Sequence, residues 1–180
     1  MPALEYNSTM TCIAALADGD NVYMAGDRGM GDGEIILSTS TRKVCIRGKY
    51  ILGFSGSMGI GQLIKYVDLP DPKGDLDMIL RLELVKNLRD TIDAFGIPYT
   101  ENNETDFLVG VRGRLFEINT SDWQVAEYSQ TAIGSGGEIA LGSLHTTRTW
   151  KSPEKRLRYA LDAAIELSPG CVGPIDILSI

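Results

Sequence analysis

The sequence is poor in several residues on which enzyme chemistry often depends. It holds a single histidine, His145, so a mechanism that shares work among several imidazoles is excluded, and a serine triad would hang on that one ring. Its three cysteines, Cys12, Cys45 and Cys171, lie 33 and 126 residues apart. An odd number at such spacings suits neither a disulfide framework nor a zinc cluster, and buried free thiols are expected. Apolar runs stop well short of the roughly 20 residues of a membrane span, and the N-terminus has no charged-then-apolar signal pattern. Basic residues are in the minority, 17 against 24 acidic for a net charge of −7, with no basic stripe. That balance argues against nucleic acid as the main partner and makes a cytoplasmic protein the expectation. The 180 residues, 43% hydrophobic and 23% charged, suffice for one compact domain and are short for two.

What is present reads as blocks of strands and helices. Thr11 to Ala17 is a β-like apolar run closed by the turn Asp18 to Asn21, and Val22 to Ala25 returns from it. A glycine-rich bend from Gly26 to Gly33 leads to a strand at Glu34 to Leu37, and two further strands cover Arg42 to Ile46 and Tyr50 to Ser55. Ile60, Leu63, Ile64 and Val67 then recur at helical spacing until Pro70 and Pro72. A second helix covers about Leu76 to Phe95, with Leu84, Val85, Leu88, Ile92 and Phe95 as its buried stripe and Gly96 and Pro98 as its stop. After a polar loop at Thr100 to Thr105 come strands at Asp106 to Val111, Arg114 to Ile118 and Trp123 to Tyr128. A short helix ends at Leu144, a second is opened by Ser152 and Pro153 with Leu157, Ala160, Leu161, Ala164 and Ile165 on its apolar face, and Ile175 to Ile180 is a final strand. Strands in runs, then helices in runs, predict an α+β fold of antiparallel sheets covered by helices.

Four polar residues stand at strand ends or glycine turns: Thr11, Asp27, Lys43 and Ser135. Thr11 opens the first strand, Asp27 closes the second and Lys43 lies on the third, so a hydroxyl, a carboxylate and an amine can meet at one end of a sheet. Residue types alone are weak support, because such a trio is far more often a surface hydrogen-bond network. Asp27 also reads as a strand-end cap, Lys43 as a solvated charge beside Arg42, and Ser135 as part of a helix-entry turn. The stretch Gly53 to Gly61 precedes a helix but fits neither a dinucleotide fingerprint nor a P-loop, so nucleotide binding is not expected. His145 reads as a surface or helix-end residue.

The spacing adds information. Thr11 to Leu16, then Met24-Ala25-Gly26-Asp27 with its aspartate sixteen residues on, then Arg42-Lys43-Val44 with its lysine a further sixteen on, resembles the β-type proteasome subunits and especially the HslV peptidases. Gly53-Phe54-Ser55-Gly56 before a helix and Ala132 to Gly137 resemble two glycine turns of the same family, and the element order agrees from Thr11 onward. The resemblance implies an N-terminal-nucleophile hydrolase, a four-layer αββα sandwich of two antiparallel sheets flanked by helices. It makes Thr11 the nucleophile, its free α-amino group the base, Lys43 the neighbouring cation, Asp27 the partner of that lysine, the Gly56 N–H the oxyanion donor and Ser135 part of the network around the amine. Met30, Thr41 and Cys45 take positions like those of the family's pocket for the side chain before the scissile bond. Such cleavage requires no metal and no organic cofactor. The resemblance further implies rings, stacked hexamers, and a hexameric AAA+ ATPase unfoldase of the HslU type that delivers protein or peptide substrates.

Two departures from the family bear on activity. Ten residues precede Thr11, so they are either a propeptide or a misassigned start ahead of Met10, and residues 11–180 form the domain. Near the C-terminal helix the family places an Asp and often a Ser, where this chain offers Glu166 and Ser168; Cys12 replaces HslV's second threonine. The leading expectation is a threonine endopeptidase active after loss of residues 1–10. The alternative is a non-catalytic structural or assembly subunit with Thr11 blocked. An amidase of the same nucleophile class, acting on a small molecule, is a third possibility.

Overall fold

The structure is a computed structural model that describes residues 10–31, 35–97 and 104–180. The sequence expectations for residues 1–9, for the start of a strand at Glu34, for the stop at Pro98 and for most of the loop after Thr100 lie outside the described residues. The rest forms eleven strands, and its helices fall into an early and a late group.

One sheet has the order β10-β1-β2-β11, built from Gln130–Ile133, Ile13–Asp18, Asn21–Gly26 and Asp176–Ser179. The second has the order β5-β6-β7-β8-β9, from Val44–Arg47, Tyr50–Gly56, Thr105–Val111, Arg114–Asn119 and Val125–Tyr128. All pairings are antiparallel. Between β2 and β5 a small hairpin pairs β3, Gly29–Gly31, with β4, Ile36–Ser38.

Strand periodicity explains the layering. Successive side chains point to opposite faces of a sheet, and β1 buries both. Ile13 and Ala15 join Val22, Met24, Val44, Ile51, Leu108, Leu115 and Ile133 in a core between the two sheets. Cys12, Ala14 and Leu16 face the other way, onto α4 (Gly137–Thr146) and α5 (Pro153–Leu167) through Ala140, Leu144, Leu157, Ala160, Leu161 and Ala164. On the far side, the outer face of the second sheet packs Phe54, Phe107, Val109 and Phe116 against α1 (Met58–Leu63) and the helix that begins at α2. The order helix, sheet, sheet, helix is the expected αββα sandwich.

The helix starts follow their caps. Ser57 accepts a hydrogen bond from Ile60 N, Asp75 from Asp77 and Met78 N, and Ser152 from Lys155 N ahead of Pro153. The long early helix differs from its expected regular course. It begins as α2 (Leu76–Met78), passes through a π-helical stretch at Ile79–Leu84 and continues as α3 (Val85–Ala94). The wider π turn rotates α3 relative to the course of an ideal helix. Leu84, Val85, Leu88 and Ile92 are buried as expected, but Phe95 is 63% exposed, because the α-helix ends at Ala94 and Phe95 lies in the turn beyond it. The glycine-rich segment after Gly26 is also more ordered than a bend, since Gly29–Gly31 forms β3, and β10 forms where no strand was expected. Cys45 is half-buried rather than buried, while Cys12 and Cys171 are buried and all three are free thiols.

Candidate active site

Antiparallel pairing brings six strand termini to one edge of the sandwich. Ile13 at the start of β1 pairs with Gly26 at the end of β2 and with Ile133 at the end of β10, and Gly26 also pairs with Asp176 at the start of β11. In the second sheet the start of β5 lies against β6 near its end, Val44 opposite Gly53. Thr11, Asp27, Lys43, Gly56, Ser135 and the turn before β11 all emerge at this edge.

The polar trio converges there. Lys43 Nζ donates to Thr11 Oγ1 at 2.8 Å, to Asp27 Oδ1 at 2.8 Å and to the Met10 carbonyl at 3.0 Å, which uses the three protons of an ammonium. The Thr11 hydroxyl donates to the Met10 carbonyl at 2.6 Å. The Asp27 carboxylate accepts from Cys12 N and Lys43 Nζ on Oδ1, and from Gly29 N at 2.8 Å and Val172 N at 3.1 Å on Oδ2. Thr11, Asp27 and Lys43 are 2%, 0% and 1% exposed, so the network is sealed from solvent. Burial pushes the Lys43 ammonium below the ordinary lysine range, and the Asp27 charge opposes that shift. A buried ion pair holds only when its remaining valences are hydrogen-bonded, and here the carboxylate and the ammonium are both fully engaged.

Ser135 comes from the loop before α4. Its Oγ accepts from Thr11 N at 3.3 Å and lies 3.4 Å from Thr11 O, while Gly136 N donates to Thr11 O at 3.2 Å. The backbone must come close here. A Cβ at Gly134, where φ is +90°, would stand 2.3 Å from Thr11 O and 2.7 Å from Ser55 Oγ. Gly56 follows Ser55 at the end of β6 with φ +110°, and a Cβ there would meet Glu104 O at 2.2 Å. Only glycine fits either position: Gly134 lets the loop at 134–136 close on Thr11, and Gly56 lets the end of β6 close on the start of β7.

The side-chain pocket residues are divided between two cavities. Met30 lines one of about 730 Å³ with Ile35 and Leu37 on the β3–β4 hairpin. Thr41 and Cys45 line another of about 620 Å³ with Arg42 and Val44, and Ser40 borders both. Glu166 is exposed, whereas Ser168 is buried at the end of α5.

Sequence reasoning missed the turn between α5 and β11. Val172 holds Asp27 through its N–H and accepts from Arg28 N at 2.9 Å through its carbonyl. Arg28 grips Asp176 with two hydrogen bonds of 2.7 Å, and Arg42 Nε lies 3.4 Å from the same carboxylate. The adjacency of Arg28 to Asp27 was the available signal, but its partner is 148 residues away. His145 is exposed on α4, as expected, and no group of three or more His, Cys, Asp or Glu side chains placed to hold a metal occurs among the described residues.

This fold and edge define a class. No protein-family model matches the chain. Among solved structures, BPH of Thiobacillus denitrificans in complex with epoxomicin superposes with a TM-score of 0.79 at 20% identity, covering 94% of this chain and 98% of that one. HslV from Trypanosoma brucei superposes with a TM-score of 0.73 at 22% identity, over 94% and 98% of the two chains. Anbu, an ancestral β-subunit, from Yersinia bercovieri gives 0.70 at 14% identity, over 94% and 80%. The chain therefore shares its fold with these HslV and proteasome-β-like structures.

Proposed function

We propose that the chain is a threonine endopeptidase of a self-compartmentalising, HslV-like assembly, cleaving peptide bonds through Thr11 once residues 1–10 are removed. The observation that carries this reading is Lys43 Nζ set between Thr11 Oγ1 and Asp27 Oδ1, 2.8 Å from each, in a buried site. A purely structural subunit has no physical need to bury an ion pair against a hydroxyl.

The chemistry is set by the groups present. A threonine hydroxyl attacks a carbonyl only if a base takes its proton, and the α-amino group freed at Thr11 has an ordinary pKa of roughly 7.7 to 8.0, suited to that task near neutral pH. Lys43, held charged by Asp27, stabilises alkoxide character on Oγ1. Ser135 Oγ, already in contact with Thr11 N, orients the amine. Attack forms a tetrahedral oxyanion for which the Gly56 N–H is the donor, and the amine then protonates the leaving nitrogen. Water, activated by the same amine, hydrolyses the resulting ester and frees Thr11. Before removal of residues 1–10 the Thr11 nitrogen is an amide and cannot act as base, while Lys43 polarises the Met10 carbonyl. Met30, Thr41 and Cys45 are the candidates for side-chain selection, and an apolar preference fits the lining by Ile35 and Leu37.

The assembly is a ring, in stacked hexamers, with a hexameric AAA+ unfoldase as partner for folded substrates and no cofactor in the cleavage itself. The protein works in the cytoplasm. Among the described residues no helix is long and apolar enough to cross a membrane.

The test is N-terminal sequencing with intact mass, beside hydrolysis of fluorogenic peptides and inhibition by epoxomicin, the ligand of the Thiobacillus protein. Wild type beginning at Thr11 and hydrolysing peptide, with Thr11→Ala silent and still carrying Met10, supports both nucleophile and self-processing. A second reading, the non-catalytic subunit, is favoured by one observation: Met10 is only 9% exposed and its carbonyl is held by Thr11 and Lys43. An assembled protein that keeps Met10 and hydrolyses nothing would establish that reading instead.

A further inference from the structure

Behind the Thr11 network lies a second pair of reactive side chains that the proposed mechanism does not use. Cys12 follows Thr11, and its side chain enters the core between the first sheet and α4 and α5; Cys171, in the turn after α5, enters the same core. Gly136 makes their meeting possible. A Cβ at that position would stand 2.5 Å from Cys171 Sγ and 2.9 Å from the Cβ of Cys12, so any larger residue would occupy the space where the two side chains approach. Both side chains are buried, and the same turn lies close to Ser135, the residue that contacts Thr11 N: a Cβ at Gly170 would stand 2.6 Å from Ser135 Oγ.

We propose that Cys12 and Cys171 are a modification site, a dithiol that hydroperoxides close to a disulfide and thiols reopen, and that closure switches the Thr11 site off. The chemistry is asymmetric. The neighbouring Cys171, together with burial, pushes the Cys12 thiol up. The neighbouring Cys12 draws the Cys171 thiol down against the opposing effect of burial. Cys171 lies on a turn and is 4% exposed against 0% for Cys12, so it is the sulfur a peroxide meets first: it attacks and Cys12 resolves. The Cys171 thiolate attacks a peroxide oxygen; an S–O bond forms, the O–O bond breaks, and the departing oxygen leaves as water or alcohol after taking a proton. The Cys12 sulfur then attacks the sulfenic acid, an S–S bond forms, the S–O bond breaks, and hydroxide leaves with the Cys12 proton as water. Two thiols lose two electrons, and one peroxide gains them.

The link to the nucleophile is geometric, and that half of the proposal rests on the peptidase reading. A disulfide requires sulfurs about 2.05 Å apart, closer than any two unbonded thiols approach, and the two cysteines are free in this structure. β1 is paired on both sides, by β10 and β2, so Cys12 cannot follow easily. The 168–172 turn moves instead, and it carries the Val172 N–H that holds Asp27 Oδ2. Displacing that donor and the Ser135 contact loosens Asp27, Lys43 and the Thr11 amine together. A shift of about 1 Å in such a site costs on the order of a hundredfold in rate.

The experiment treats the purified full chain with hydrogen peroxide, then measures intact mass, iodoacetamide labelling and non-reducing peptide maps. The expected result is a loss of about 2 Da, a linked Cys12–Cys171 peptide, continued labelling of Cys45 and reversal by dithiothreitol. Oxygen addition without linkage, linkage through Cys45 or linkage between chains overturns the site, and none of these readouts needs a variant to fold. Cys12→Ser and Cys171→Ser must each abolish the internal link. Peptide hydrolysis is followed in parallel. The oxidised form should lose about tenfold or more and recover with reductant, and equal rates overturn the switch. A preparation that hydrolyses no peptide before oxidation counts against the peptidase reading, while the mass measurement still decides the disulfide.

Discussion

At the scale of single residues, Lys43 is the side chain on which the site depends most. Its three donors are all committed, and the pair with Asp27 is buried. Lys43→Met should abolish peptide hydrolysis and, by leaving a buried carboxylate short of its cation, cost about 3–5 kcal/mol, measured by denaturant unfolding. The double variant Lys43→Met with Asp27→Asn should regain much of that stability without regaining hydrolysis, because only the charge imbalance is repaired. Glu117 offers a prediction of opposite sign. Burial raises its carboxyl above the ordinary range, against one hydrogen bond from Thr131 Oγ1 at 3.0 Å. A group whose folded pKa is raised stabilises the fold below its unfolded pKa and loses that contribution as pH rises through the folded value. Glu117→Gln keeps the acceptor and removes the charge, so it should raise Tm at pH 7, and the gain should shrink as pH falls into the range where Glu117 itself is protonated.

At the scale of elements, close contacts fix how the early helices sit on their sheet. Gly61 lies on the face of α1 that meets β6, and a Cβ there would stand 1.8 Å from Cδ2 of Phe54, a side chain only 1% exposed. Gly61→Ala therefore forces α1 off the sheet. It should destabilise the protein by about 1–3 kcal/mol, seen as a lower midpoint in urea, despite the better helix propensity of alanine. Much at this scale was legible in the sequence. Apolar runs bounded by turn residues located β1, β2, β6, β7 and β8, and Ser152-Pro153 located the start of α5. The π-helical stretch at Ile79–Leu84 and the strand at Gln130–Ile133 were not legible. A π turn arises from packing rather than propensity, and β10 is a strand because β1 offers it an edge to pair with.

At the scale of the whole molecule, one hairpin stands out as unfinished surface. Ile35 and Leu37, at and beside β4, are 66% and 67% exposed, and they border the cavity that also holds Met30. Apolar surface of this kind beside a proposed substrate cavity fits an assembly in which protomers meet. Native mass spectrometry should give roughly twelve times the chain mass of 19.6 kDa for stacked hexamers. Leu37→Glu should shift the population toward smaller species, with circular dichroism unchanged. A monomer at micromolar concentration would refute the ring and reopen the small-molecule amidase reading.

The sequence by itself determined the class of fold and which polar side chains meet at its edge. Continuous apolar runs mark the strands that are buried on both faces, and the equal spacing of Thr11, Asp27 and Lys43 is carried by short strands whose turns are written in glycine and aspartate. Those are local signals, and local physics reads them. Tertiary structure alone decided what stands around them. Val172, Asp176 and Cys171 reach the site from a turn some 160 residues after Thr11, with no periodicity or motif to announce them. Whether a buried carboxylate is satisfied, and whether two cysteines share one core, depends on chain segments that meet only when the sheets and helices have packed, so those facts belong to the folded molecule.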